Sequence, residues 1–288
     1  MAAVRQAVRR HPLLFGFGLM FLLTWPVELW RAAASRGWTS VAVPEPLALF
    51  VGWGFVVAAL VLTALADGRA GLRELGSRLL RWRVGWRWYL VALFGFAVID
   101  LLAVLLASLW RGEPPAFDRV FAQALFGPSE AVWVFVLPFL LFDAVSNGEE
   151  LGWRGYALPR LLQRHNALVA SLVLGVVWAV WHLPKFLVVG GTHEGFHWFL
   201  LDVLAKAVLF TWLYNHTRGS LLLAILFHAS INTSAVFLPV MAAVSGDDLP
   251  FALGVVLKWL WVAAVVASQG ARYLSRDPWA AESVRQPG

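Results

Sequence analysis

The sequence predicts an all-α fold, a polytopic membrane protein built as a bundle of about eight transmembrane helices. Three observations carry this. The chain is 60% hydrophobic, with a mean hydropathy of +0.71 and only 14% charged residues, whereas soluble domains are about a quarter charged. Apolar runs of about 20 residues, enough to cross a hydrocarbon core of ~30 Å, recur from end to end. The runs are continuous, unlike the short alternating segments of a β-barrel.

The runs fall at 12–31, 46–66, 88–110, 130–163, 166–188, 198–214, 219–240 and 251–270. The first follows VRQAVRR and precedes Ala32-Ala33-Ala34, a pattern that mimics a cleaved signal peptide. Its apolar part is long for such a leader, and Pro26 and Glu28 sit late within it, so it reads as an uncleaved helix. Between the second and third runs, Arg69 to Arg87 is interleaved with Trp82, Trp86 and Trp88, the composition of a basic segment lying on anionic headgroups. The fourth run carries NGEELGWRG, Asn147 to Gly155, and turns into the fifth near Gln163-Arg164-His165-Asn166. The fifth carries WAVWHLP, the sixth an Asp202–Lys206 pair four residues apart, and the seventh HASIN. Residues 1–276 read as a single transmembrane domain, followed by a disordered tail at 277–288.

There is no cysteine, which excludes disulfides and thiol catalysis. The positive balance is almost all arginine, and the arginines lie between apolar runs, so they orient the chain and do not imply a nucleic-acid partner. With the N-terminus inside, the inner segments hold Arg5, Arg9, Arg10, the Arg69–Arg87 group, Arg160, Arg164, Arg218, Arg272, Arg276 and Arg285. The outer segments hold Arg31, Arg36, Arg111 and Arg119. This bias predicts a multi-pass protein of the cell membrane with both termini cytoplasmic. Many of the 17 tryptophans fall near span ends, where interfacial anchors belong.

Ionisable groups inside a span are costly and usually face a partner or a cavity. Glu150 and Arg154 are four apart and share a helical face, so they can neutralise each other. Glu149, rotated by about 100°, lacks that partner and reads as a free carboxylate suited to a general base. His182 follows Trp178 by four residues, and His228 precedes Asn232 by four, which puts each pair on one face. Taken singly, a surface helix end, a packing histidine and interhelical glue each explain these residues. Depth argues otherwise. Glu149 and His182 lie roughly 22–26 Å from the same membrane surface, and His228 and Asn232 roughly 15–21 Å, at 1.5 Å per helical residue. Four polar groups from three helices then converge inside the membrane. Lys185 and Lys258 read as snorkelling, and Asp100 and Asp143 have no evident partner.

Glu149-Glu150-x-x-x-Arg154, an aromatic-x-x-x-His ending at His182, and His228-x-x-x-Asn232 together resemble the CPBP intramembrane protease family, which includes CAAX prenyl endopeptidases and bacterial Abi or bacteriocin-immunity proteins. The motif-bearing part runs from about Glu130 to Phe237. The family usually has Phe where Trp178 stands, a position read as packing rather than chemistry. The resemblance implies an intramembrane endopeptidase acting on a peptide or protein substrate in or at the bilayer. Glu149 and His182 would activate water, His228 and Asn232 would stabilise the oxyanion, and Glu150 and Arg154 would support the site. A bacterial member is not expected to act on a prenylated CAAX protein. The donor set favours a metal-free mechanism, with zinc on Glu149, His182 and His228 as the alternative.

A rival motif lies in the same chain. His193-Glu194-Gly195-Phe196-His197 matches H-E-x-x-H, the zincin signature. The glycines at 190, 191 and 195 disfavour the helix that motif needs, and Asp202 is the best third ligand, so an ordinary outer loop is the preferred reading. Two non-proteolytic readings remain: a membrane scaffold or immunity protein that binds a partner, and a proton-relaying transporter, which would need broken helices in pairs or a repeat.

Overall fold

The computed structural model describes residues 2–128, 130–189, 195–276 and 279, and the described residues contain no strand. The helices run α1 (Ala2–Arg10), α2 (Pro12–Ser35), α3 (Glu45–Leu49), α4 (Trp53–Ala66), α5 (Gly68–Leu79), α6 (Trp86–Arg111), α7 (Phe121–Phe126) and α8 (Val136–Ser146). A π-helical stretch, Leu151–Ala157, leads into α9 (Leu158–Leu162), α10 (Ala167–Trp181), α11 (Phe196–His216), α12 (Leu221–Phe237), α13 (Ala242–Ser245) and α14 (Leu249–Gln269). The chain is a polytopic, all-α membrane protein.

Each of the eight apolar runs contains a helix, but not all are full spans. Among the described residues, five helical stretches are long and apolar enough to cross a bilayer: α2, α6, Ala167–Leu187, α11 and α14. The run at 130–163 is broken. Its halves, Ala131–Ser146 and Leu151–Leu162, meet at 47°. The run at 46–66 is split into the short α3 and the 14-residue α4, and α12 has 17 residues. The turn before α10 is well defined: Asn166 caps the helix by accepting the N–H of Val169 at 2.9 Å.

Helices α2, α4 and the π-helix pack together on one side, and α6, α11, α12 and α14 on the other, with α10 against α11. The shared core includes Met20, Phe55, Phe96, Trp153, Trp181, Phe210 and Phe227. The second group is tied by buried charge. Lys258 does not snorkel. Its Nζ lies 3.0 Å from Asp100 and 2.9 Å from Asp202, and Asp202 also meets Lys206 at 2.5 Å. Asp100 accepts a hydrogen bond from Ser234 Oγ at 2.7 Å, which fixes α12 against α6. Two carboxylates and two ammonium groups cancel here, because an uncompensated charge in hydrocarbon is costly. Asp100, unpartnered in the sequence reading, thus finds its partner on the last helix.

Candidate active site

The site begins where α8 ends. Asn147 leaves the helix (φ −87°, ψ 95°), and its side-chain oxygen accepts the N–H of Glu149 at 3.1 Å, restarting the helix two residues on. Gly148 allows the close approach. A Cβ there would fall 2.4 Å from Val56 Cγ2 and 2.8 Å from the Gly52 carbonyl oxygen. The two glutamates therefore stand at a helix break packed against α4, not midway along a straight span. Both are buried, at 6% exposure for Glu149 and 0% for Glu150.

Glu150 pairs with Arg154 as their spacing predicted, Oε1 to a terminal guanidinium nitrogen at 2.8 Å. The same oxygen lies 2.7 Å from His228 Nδ1 on α12. Glu150 is thus not confined to Arg154; it also anchors a histidine read as part of the reacting group. The Arg154 guanidinium, 0% exposed, sits in the corner formed by the perpendicular rings of Trp178 and Phe210, 4.6 and 3.8 Å from their centroids. Behind it, Arg78 of α5 donates to the carbonyls of Arg154 at 2.7 Å, Gly155 at 3.3 Å and Gly219 at 3.3 Å. One side chain so ties the π-helix to the turn before α12. Nothing in the spacing of Arg78 within a basic segment distinguished it from the exposed Arg73 beside it.

Glu149 is not a bare carboxylate. Its Oε2 accepts the indole N–H of Trp153 at 3.1 Å and that of Trp178 at 3.0 Å. This corrects the sequence reading of Trp178 as packing only. His182 sits at the C-terminal cap of α10, and its Nδ1 lies 2.8 Å from the Trp178 carbonyl. A carbonyl can only accept, so Nδ1 carries the proton and Nε2 is the free ring nitrogen. Glu149 lies within electrostatic reach of His182, His228 and Lys185. Lys185 rests over the Trp181 ring at 5.1 Å.

Asn232 is held elsewhere. Its Nδ2 donates to both oxygens of Asp143, each at 3.1 Å. Asp143 had no partner in the sequence reading because α8 and α12 are far apart along the chain. It stands within electrostatic reach of His228, Glu149 and Lys185 and so joins the cluster. The four expected residues are therefore linked through Trp178, Glu150 and Asp143, with His228 bound to the Glu150–Arg154 pair and Asn232 bound to Asp143.

Both site histidines have Nδ1 engaged and Nε2 presented, an arrangement also common among metal-ligating histidines. Among the described residues, however, no three His, Cys, Asp or Glu side chains are gathered to hold an ion. Of the rival H-E-x-x-H motif, His193 and Glu194 lie outside the described residues. Gly195 is extended (ψ 144°) and α11 starts at Phe196, so His197 opens a helix. Asp202, its best third ligand, is taken by Lys206 and Lys258. The tail at 277–288 lies outside the described residues except for Trp279, which packs against the core.

Residues 128–234 match a protein-family model described as Rce1-like, type II CAAX prenyl endopeptidase. The chain is also 34% identical over 162 residues to CAAX prenyl protease 2 of Methanococcus maripaludis, covering 52% of this chain and 59% of that one. The chain thus matches a little over half the length of that curated relative. The matched family segment contains Asp143, Glu149, Glu150, Arg154, Trp178, His182, His228 and Asn232. All three motifs read from the sequence fall inside this matched segment, and its similarity to CAAX prenyl endopeptidases agrees with the family those motifs resemble.

Proposed function

We propose that the chain is an intramembrane endopeptidase that hydrolyses a peptide bond of a membrane-associated peptide or protein, with Glu149 as the base. The observation that carries this is the state of the Glu149 carboxylate. It is buried at a helix break, one oxygen is gripped by two indole N–H groups, and two histidines stand within electrostatic reach. A structural carboxylate would be paired with a cation in contact, as Glu150 is with Arg154.

In this reading Glu149 Oε1 takes a proton from a water that His182 Nε2 helps to orient. The water oxygen attacks the scissile carbonyl carbon, and the C=O electron pair moves to oxygen. The second N–H of Asn232 Nδ2 donates to that oxyanion, and Nε2 of His228 does so in its doubly protonated form, with Glu150 as counter-ion. Collapse re-forms the carbonyl and breaks the C–N bond, and the proton held by Glu149 passes to the leaving nitrogen. The chemistry is read as metal-free, which is supported by the lack of a gathered ligand set among the described residues, and no step is routed through a metal. The arginine bias supports cytoplasmic termini in a cell membrane. The archaeal relative's name makes a prenylated CAAX peptide one substrate to test, beside unprenylated membrane-anchored peptides.

The test uses protein reconstituted in liposomes with both peptide classes in water enriched in oxygen-18. One heavy oxygen in the new carboxyl terminus of one class, lost in His182→Ala and reduced in Asn232→Ala, is the expected result. Cleavage of neither class above protein-free vesicles, with correctly inserted protein, would overturn the reading in favour of a binding scaffold.

A further inference from the structure

We propose that Trp178 is a positioning residue for the reaction, whose indole N–H fixes the Glu149 carboxylate by one oxygen and leaves the other for the hydrolytic water. The inference rests on the reading of Glu149 as the base. Both indole N–H groups reach the same atom, Oε2, at 3.1 Å from Trp153 and 3.0 Å from Trp178. No hydrogen bond engages Oε1 among the described residues. A carboxylate held by one donor can pivot about that bond, whereas two donors from different directions on one oxygen fix its plane.

The two donors are not equivalent. Trp153 stands four residues after Glu149, in the π-helical stretch that follows it directly, and moves with it. Trp178 comes from α10, the helix that ends at His182. It alone ties the carboxylate to the element presenting the second water-activating group. The Trp178 ring is itself fixed. It is 3% exposed, meets Phe210 edge-on at 5.7 Å, and carries the Arg154 guanidinium over its face at 4.6 Å. Its carbonyl accepts the Nδ1–H of His182 at 2.8 Å. One residue thus sets both groups, the carboxylate through its side chain and the imidazole through its backbone. Changing the side chain leaves the backbone bond in place, so the two effects can be separated.

The experiment replaces Trp178 with phenylalanine and, separately, by nonsense suppression, with benzothienylalanine, which keeps the indole outline and puts sulfur where the N–H was. Peptide cleavage is measured in liposomes beside Glu149→Gln, with thermal melting of each protein. Benzothienylalanine at 178 is expected to melt as wild type, lower kcat roughly tenfold, as loss of a hydrogen bond to a charged group does, and leave KM unchanged. Trp178→Phe should show the same kcat loss with a small loss of stability. In the Glu149→Gln background neither change should lower the residual rate further. If Glu149→Gln keeps full activity, the base reading itself fails. If Glu149→Gln is inactive but the benzothienylalanine protein turns over at the wild-type rate, or raises KM alone, the positioning role is refuted and the base reading stands.

Discussion

Glu150→Ala should destabilise the folded protein severely. In the native site the Arg154 guanidinium is 0% exposed, and among the described residues its one hydrogen bond is to Glu150, at 2.8 Å. Its Nε and second terminal nitrogen already make none. Removing Glu150 leaves a buried cation without its contacting counter-charge and frees Nδ1 of His228. Breaking one side of a buried pair costs about 3–5 kcal/mol. The Trp178 and Phe210 rings that flank Arg154 remain and offset part of this, so the lower end is expected. At ~2–4 °C per kcal/mol for a chain near this size, Tm should fall by on the order of 10 °C. Intrinsic tryptophan fluorescence of the purified protein in detergent follows the melt. Glu150→Ala combined with Arg154→Met removes both charges and should recover most of the loss. A single variant melting within about 2 °C of wild type, well inside the ~3 kcal/mol expected, would refute the assignment of Glu150 as the counter-ion of Arg154.

Other consequences are as direct. Lys258→Met should destabilise by several kcal/mol, because it leaves Asp100 with Ser234 alone, and adding Asp100→Asn should restore much of the melting temperature. Gly148→Ala should cost about 1–3 kcal/mol and lower turnover, since its Cβ would press on the Gly52 carbonyl beside Glu149; wild-type melting and kcat would contradict the tight packing. His193→Ala and Glu194→Ala should leave cleavage unchanged, and joint loss of activity with stoichiometric zinc in the purified protein would transfer the chemistry to the rival motif. Exhaustive chelation should not alter turnover; loss that zinc alone restores would make Glu149, His182 and His228 ligands.

What the sequence could disclose follows from the range of each interaction. The membrane class and the helical runs are legible because hydrophobicity acts locally and additively. The Glu150–Arg154 pair is legible because i, i+4 spacing is fixed by helix geometry. The family motifs single out the candidate site residues because all three lie in order on apolar runs. The partners of Asp143 and Asp100 were not legible, since Asn232 and Lys258 lie 89 and 158 positions away in the chain, and periodicity carries no information across that distance. The break at Asn147-Gly148 was missed because the surrounding run is uniformly apolar and hides a bend that depends on Gly52. Trp178 was misread for a related reason. An aromatic in an apolar helix is usually packing, and only its placement beside Glu149 reveals the N–H as a donor.

Glu149 as the base is the central assignment, and one comparison tests it most directly. Glu149→Gln keeps the length of the side chain and an amide oxygen that can still accept the N–H groups of Trp153 and Trp178, so the variant should fold and insert as wild type. Membrane fractions from cells carrying the wild-type or the Glu149→Gln protein at equal levels would be compared by mass spectrometry of peptide termini. New termini that depend on the wild-type protein and vanish with Glu149→Gln, while its melting temperature is unchanged, are the predicted result. The same termini in both, at the same abundance, would contradict hydrolysis by this glutamate.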